Sequence, residues 1–212
     1  MTVLRHKMDS NKKSRSELKR EAIINAALQA FKQDGVANTS MDRLAQLAQV
    51  SKRTVYNHFK TKEALVMHLL SDLWEQAMVN AQYPYQPDLP IREQVVALAK
   101  IEAEFVGGSH YIDLARVAFG HLLFHPEALK QEMEKVGSQE TAIVRWLKEA
   151  QASNRLKPLD VETVNIQLHS LLKGSCFYPQ LLGFKAPLNE QEMDQLIEES
   201  VDMFMARYGK ED

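Results

Sequence analysis

The chain has 212 residues, a single cysteine and a formal net charge of −2. That length suits one or two domains, one thiol excludes an internal disulfide, and no apolar run approaches the roughly 18 residues of a membrane span or the core of a secretion signal. The near-neutral total conceals a division: residues 1–68 carry 13 Lys and Arg against 6 Asp and Glu, while residues 69–212 carry 13 against 22. A basic head precedes an acidic body, which should repel DNA and turn the head toward it. A soluble cytoplasmic protein without membrane or cofactor is expected.

Residues 1–13 read as a disordered basic tail, either a solubility device or an arm for DNA. Ser14 and Glu17 then form a capping box opening a helix with an apolar stripe of Ile23, Ala27, Ala30 and Phe31, closed by Gly35. Residues 39–65, TSMDRLAQLAQVSKRTVYNHFKTKEAL, are the most informative stretch. Thr39 with Asp42 fits a second capping box, and Leu44, Ala45, Leu47 and Ala48 give a short apolar helix with Val50 closing the turn. Ser51 can cap the next helix, whose Val55 and Phe59 lie four apart and face inward. Its remaining faces carry Lys52, Arg53, Thr54, Tyr56, Asn57 and His58, the side chains that reach phosphates and base edges in a major groove. Residues 14–60 are therefore read as a helix-turn-helix DNA-binding domain. A basic run alone is commonly just solvated surface, but here it coincides with this pattern.

The same stretch resembles the TetR family of bacterial transcriptional regulators. The match rests on Thr39-Ser40, Leu44-Ala45, Ala48, Val50-Ser51, Thr54-Val55-Tyr56, Phe59, Lys62-Glu63 and Leu65. The resemblance implies that Thr54, Tyr56, His58 and Lys62 lie near phosphates and that Lys52, Arg53 and Asn57 contact bases. Thr39 and Ser40, at a helix N-terminus that can face phosphate, complete the DNA-binding set. Gln49 departs from the pattern: it stands where the family usually has Gly, at a turn position that commonly needs positive φ.

Residues 61–212 read as a larger, all-helical body. Helices are expected over 61–81, 91–106, 110–124, 126–154, 160–182 and 189–208. The Pro-rich segment 83–90 and Gly107-Gly108 punctuate the series, and Asn189 with Glu192 forms a capping box. In the last two helices, Val164, Leu168, Leu171 and Leu172, and then Met193, Leu196, Ile197, Val201 and Phe204, recur at helical spacing. The plain reading is packing within one chain. The resemblance implies that these helices pair with their copies in a homodimer. It also implies an effector cavity among the middle helices, with Phe105, Phe119, Phe124, Trp146 and Phe177 as large apolar groups and His110, His121 and His169 as polar ones. Residues 173–183, KGSCFYPQLLG, further resemble the C-terminal region of an AefR-like subgroup.

Two rivals are weighed. His121 and His125, at i and i+4, have zinc-holding spacing, but the intervening Leu-Leu-Phe lacks the Glu of a hydrolytic zinc helix, and no nucleophile turn or phosphate-cradling loop occurs. An enzyme and a metal site are therefore not expected. A DNA-binding protein without a ligand, controlled by a partner, remains open, as does activation. The expected function is a dimeric repressor that binds palindromic double-stranded operator DNA and is released by a small apolar or aromatic effector.

Overall fold

The computed structural model describes residues 13–158 and 160–210, with the surroundings of Met133 and Gly137 outside the description. The expected tail, residues 1–13, lies outside that range apart from Lys13. Among the described residues every regular element is helical, and the sole extended pairing is an antiparallel bridge between Leu156 and Gly209. Two compact units divide after Leu65.

The N-terminal unit contains α1 (Arg15–Asp34), α2 (Met41–Leu47), α3 (Lys52–His58) and the start of α4 (Lys62–Trp74). The Ser14–Glu17 capping box forms in both directions, and Gly35 ends α1 at φ 79°. Ile23, Ala27, Ala30 and Phe31 of α1 are buried with Leu44, Val55, Phe59 and Leu65. Arg20 lies 4.9 Å over the Phe59 ring, so its guanidinium covers the edge of this small core.

The start of α2 differs from expectation. Ser40, not Thr39, is the N-cap, accepting a hydrogen bond from the Arg43 amide. Thr39 is buried, and its hydroxyl donates to the Gly35 carbonyl at 2.9 Å. One residue of register explains this: the Thr39 side chain satisfies the α1–α2 loop, leaving Ser40 to cap. Ser51 caps α3 through the Thr54 amide. Gln49 sits at φ 53°, the left-handed turn conformation its position was expected to demand.

In the C-terminal unit, α4 continues and ends in a π-helical turn, Glu75–Val79. There follow α5 (Ile91–Gly107), α6 (Ser109–Leu122), α7 (Pro126–Gly137), α8 (Ala142–Ala152), α9 (Val161–Cys176), α10 (Tyr178–Leu181) and α11 (Glu190–Tyr208). Helix α5 packs on both α9 and α11, which also pack on each other. Gly107 permits this closeness, since a Cβ there would fall 2.9 Å from the Met193 Cε and 3.3 Å from the Cys176 carbonyl. The Asn189–Glu192 capping box opens α11 as read from the sequence.

Two expected long helices are each broken. Residues 126–154 form α7 and α8, separated where Thr141 caps the second by accepting from the Val144 amide. Residues 160–182 form α9 and α10, because Phe177 leaves helical geometry (φ −125°, ψ −61°). Pro179, two residues on, has no amide hydrogen to continue the ladder of α9.

The proposed pairing faces also need correction. Val164, Leu168, Leu172, Ile197, Val201 and Phe204 are buried within the single chain, in one cluster with Val95, Leu98, Ala99, Trp146 and Leu147. Leu171, Met193 and Leu196 are half-buried. The strongest apolar stripes of α9 and α11 thus face the chain's own core.

Candidate nucleic-acid interface and effector cavity

The base-reading candidates lie on α3, whose single buried residue is Val55. Because α3 is only two turns long, anchoring it through Val55 and the following Phe59 leaves Lys52, Arg53, Tyr56 and Asn57 exposed together. Thr54 and His58 are half-buried at the margins, and the Thr54 hydroxyl lies 2.8 Å from that of Ser51. Ser40, at the N-terminus of α2, is also exposed. Lys52 reaches back to Asp42 on α2 at 2.6 Å, and this hydrogen-bonded ion pair raises its ammonium pKa above the ordinary value.

Two members of the sequence-derived set stand elsewhere. Thr39 is buried behind the cap, so its hydroxyl has no open path to a phosphate. Lys62 turns inward: its ammonium donates to the carbonyls of Val36 (2.9 Å), Ala37 (3.4 Å) and Thr39 (3.3 Å). With its three protons directed at the α1–α2 loop, Lys62 acts as a clip holding the start of α4 to that loop.

In the C-terminal unit, a cavity of about 300 Å³ opens among α4, α5, α6, α7, α9 and α10. Its wall includes Met67, Leu70 and Trp74 of α4, Phe119 and Leu122 of α6, and Leu129 and Val136 of α7. Phe177 and Tyr178 close one side, and Val106 and Tyr111 another. The polar groups are Ser71, Glu132, Lys173 and the tyrosine hydroxyls. Mostly apolar walls with a few polar groups are what a small-molecule site needs. Of the eight residues anticipated for the cavity, Phe119 and Phe177 line it.

The remaining six are placed otherwise. Phe105 packs against Tyr111, ring centroids 4.4 Å apart, behind the wall. Trp146 lies in the core, donating its indole N–H to Gln94 at 3.1 Å. His169 binds the buried carboxylate of Glu102. Phe124 is 82% exposed. His121 stacks on His125 with centroids 4.1 Å apart, at the end of α6, and His110 near its start is half-buried outside the cavity lining. Burial pushes the Tyr111 phenol up to about 12 and the Cys176 thiol to about 11, with the Glu102 charge adding to both. Cys176 is thus a protonated core thiol.

Comparison with known proteins agrees with both units. Residues 23–69 match the profile of bacterial regulatory proteins of the tetR family. Residues 93–210, more than half of the chain, match that of the AefR-like transcriptional repressor C-terminal domain. The chain belongs to the TetR family. A crystal structure of a TetR-family transcriptional regulator from Pseudomonas syringae is 37% identical to it, with a TM-score of 0.71 over 92% of this chain and 99% of that one. The flavonoid-responsive regulator FrrA is similar at 25% identity and TM-score 0.55, covering 92% and 98%. Among curated relatives, the transcriptional regulator RutR of Escherichia coli is 27% identical over 71% of each chain.

As a TetR-family member, the chain is a helix-turn-helix, DNA-binding transcriptional regulator, and among its described residues no helix is long and apolar enough to cross a membrane. Sequence reasoning missed Trp74, Tyr111, Leu129 and Lys173 in the wall of this cavity. The signal for Trp74 was a large aromatic on the face of α4 that also carries Met67, Leu70 and Ser71. No comparable signal marked Lys173, which looks like ordinary helix surface until α7 and α10 are in place.

Proposed function

We propose that the chain is a homodimeric repressor whose operator affinity falls when a small, largely aromatic molecule enters the C-terminal cavity. The observation that carries this reading is the cavity itself: about 300 Å³ of mainly apolar space, with four residues of α4 in its wall. The same helix begins at Lys62, clipped to the loop that precedes α2. A ligand pressing on Trp74 or Leu70 acts on the helix whose first residues belong to the DNA-reading unit. A coupling of about 1–3 kcal/mol lowers DNA affinity by 5- to 150-fold. The name of the similar FrrA, flavonoid-responsive, supports an aromatic effector.

Within the DNA-reading unit, Arg53 and Asn57 read bases, joined by Lys52 once it leaves Asp42. Ser40, Thr54, Tyr56 and His58 position the backbone. Dimerisation places two such helices about 34–36 Å apart, on successive major grooves. The pairing surface is the solvent side of α9 and α11, where Ile166 and Met203 are exposed at 62% and 53%. Phe184, just after α10, is exposed as well.

Selection of bound sequences from random DNA, followed by titration with aromatic compounds, tests this directly. A palindromic consensus, whose complex dissociates on adding a compound that raises the melting temperature, is the expected outcome. An operator complex indifferent to every compound that stabilises the protein would leave the DNA-binding role and remove the ligand switch.

A further inference from the structure

The cavity has one cationic group in its wall, and the surroundings of that group define the ligand. Lys173, on α9, lines the cavity with its side chain 27% exposed. Its nearest carboxylate is Glu102 of α5, 3.9 Å away and 1% exposed. That distance is a long ion pair, and no hydrogen bond joins the two groups. The same Glu102 oxygen, Oε1, is already engaged by His169 Nδ1. Among the described residues, the Lys173 ammonium has no hydrogen-bond acceptor within reach, its contact being the 3.9 Å ion pair, while Glu102 Oε2 accepts no hydrogen bond. The Lys173 ammonium is therefore held near a buried negative charge without a close hydrogen bond to any described residue. An ammonium in a mainly apolar wall with unused donors gains most from a close anion.

Resting on the cavity reading above, we infer that the effector is an aromatic or apolar acid whose anionic group binds Lys173. The rings of Trp74, Tyr111, Phe119 and Phe177 enclose its apolar body. Glu132 of α7, the other charged group in the wall, suits a hydrogen-bond donor on the ligand. His169 has a definite part in this arrangement. When Lys173 turns from Glu102 to the ligand, His169 keeps the buried carboxylate hydrogen-bonded, so the exchange does not strand it.

Three probes with one aromatic body and different head groups test the inference on the full chain: 2-naphthoate, 2-naphthylmethanol and 2-naphthylmethylammonium, each by calorimetry. Naphthoate should bind about tenfold more tightly than the alcohol, the scale of one charge-assisted hydrogen bond. Lys173→Met should erase that preference while leaving the alcohol unchanged, and Lys173→Arg should keep it. Equal binding of acid and alcohol would overturn the charge assignment and leave the cavity standing. So would tightest binding of the ammonium probe, abolished in Glu132→Gln. Failure of all three to bind, or undiminished binding after Leu129→Trp fills the space, would overturn the cavity reading and this inference together.

Discussion

Helix α3 and the pair α9–α11 present the same problem with opposite outcomes. In α3, two apolar anchors serve a two-turn helix, so Lys52, Arg53, Tyr56 and Asn57 are left exposed together. In α9 and α11, apolar residues outnumber what one face requires, and periodicity cannot say which group meets the chain's core and which meets a second copy. The core took the stronger stripes: Val164, Leu168 and Leu172 with Ile197, Val201 and Phe204. The weaker residues, Ile166 and Met203, were left outside. Where apolar residues are scarce, sequence assigns faces; where they are abundant, it assigns only helices.

The comparison is broken most forcefully at Phe204. Phe204→Glu places a carboxylate among Tyr208, Val201 and their neighbours, and an uncompensated buried charge costs about 3–5 kcal/mol. The C-terminal unit should lose its cooperative melting transition altogether. By contrast, Met203→Glu, at the preceding position, should melt almost normally and shift only the oligomeric state seen by light scattering. Normal melting of Phe204→Glu would return Phe204 to an intermolecular role.

Lys62 probes the DNA-reading unit from inside. Lys62→Ala removes an ammonium from three loop carbonyls and should destabilise this unit by about 1.5–3 kcal/mol, the range for charged hydrogen bonds. Under conditions where the unit stays folded, the salt dependence of DNA binding should be unchanged, because Lys62 neutralises no phosphate. A shallower log–log salt slope in the variant would place Lys62 on phosphate after all.

Arg53→Ala and Asn57→Ala should leave folding intact and relax preference at one or two operator positions, by about 1–3 kcal/mol for each bidentate base pairing removed. Sequence selection on each variant reads this, and an unaltered consensus in both would mean that α3 does not read bases. The smallest effect belongs to Gln49. At φ 53° a side chain is strained, so Gln49→Gly should stabilise the unit by under about 1 kcal/mol, part of the gain being offset by glycine's freedom when unfolded. Chemical denaturation resolves the sign, and a decrease in stability would show that Gln49 makes compensating interactions.

Much of the fold was legible because local chemistry fixed it. Ser14–Glu17, Ser51 and Asn189–Glu192 each mark a helix start by their own hydrogen bonds, and Gly35 marks an end. The cap expected at Thr39 shows the limit: two adjacent hydroxyls both suit the position, and the loop carbonyl of Gly35, set by tertiary structure, takes one of them. The breaks at Thr141 and Phe177 were hidden because helical periodicity continues across them. The cavity was least legible. Its residues come from six helices, and the large groups chosen for it were divided by packing between wall, core and solvent. A Trp146 hydrogen-bonded to a buried Gln94 and a Phe124 in water cannot be told apart by size or spacing.

The pairing of Lys52 with Asp42 bears on how such a protein searches a genome. Both side chains are more than half exposed, so the pair adds little to stability and separates readily. On the proposed reading, in which α3 enters the groove, the pair leaves one less available cation while it holds, which weakens adhesion to arbitrary sequence, since that adhesion comes from phosphate neutralisation. A site that draws Lys52 onto a base edge releases Asp42 and recovers the full interaction. On that reading the intramolecular carboxylate competes with every DNA site and is displaced most fully where the contact to Lys52 is strongest.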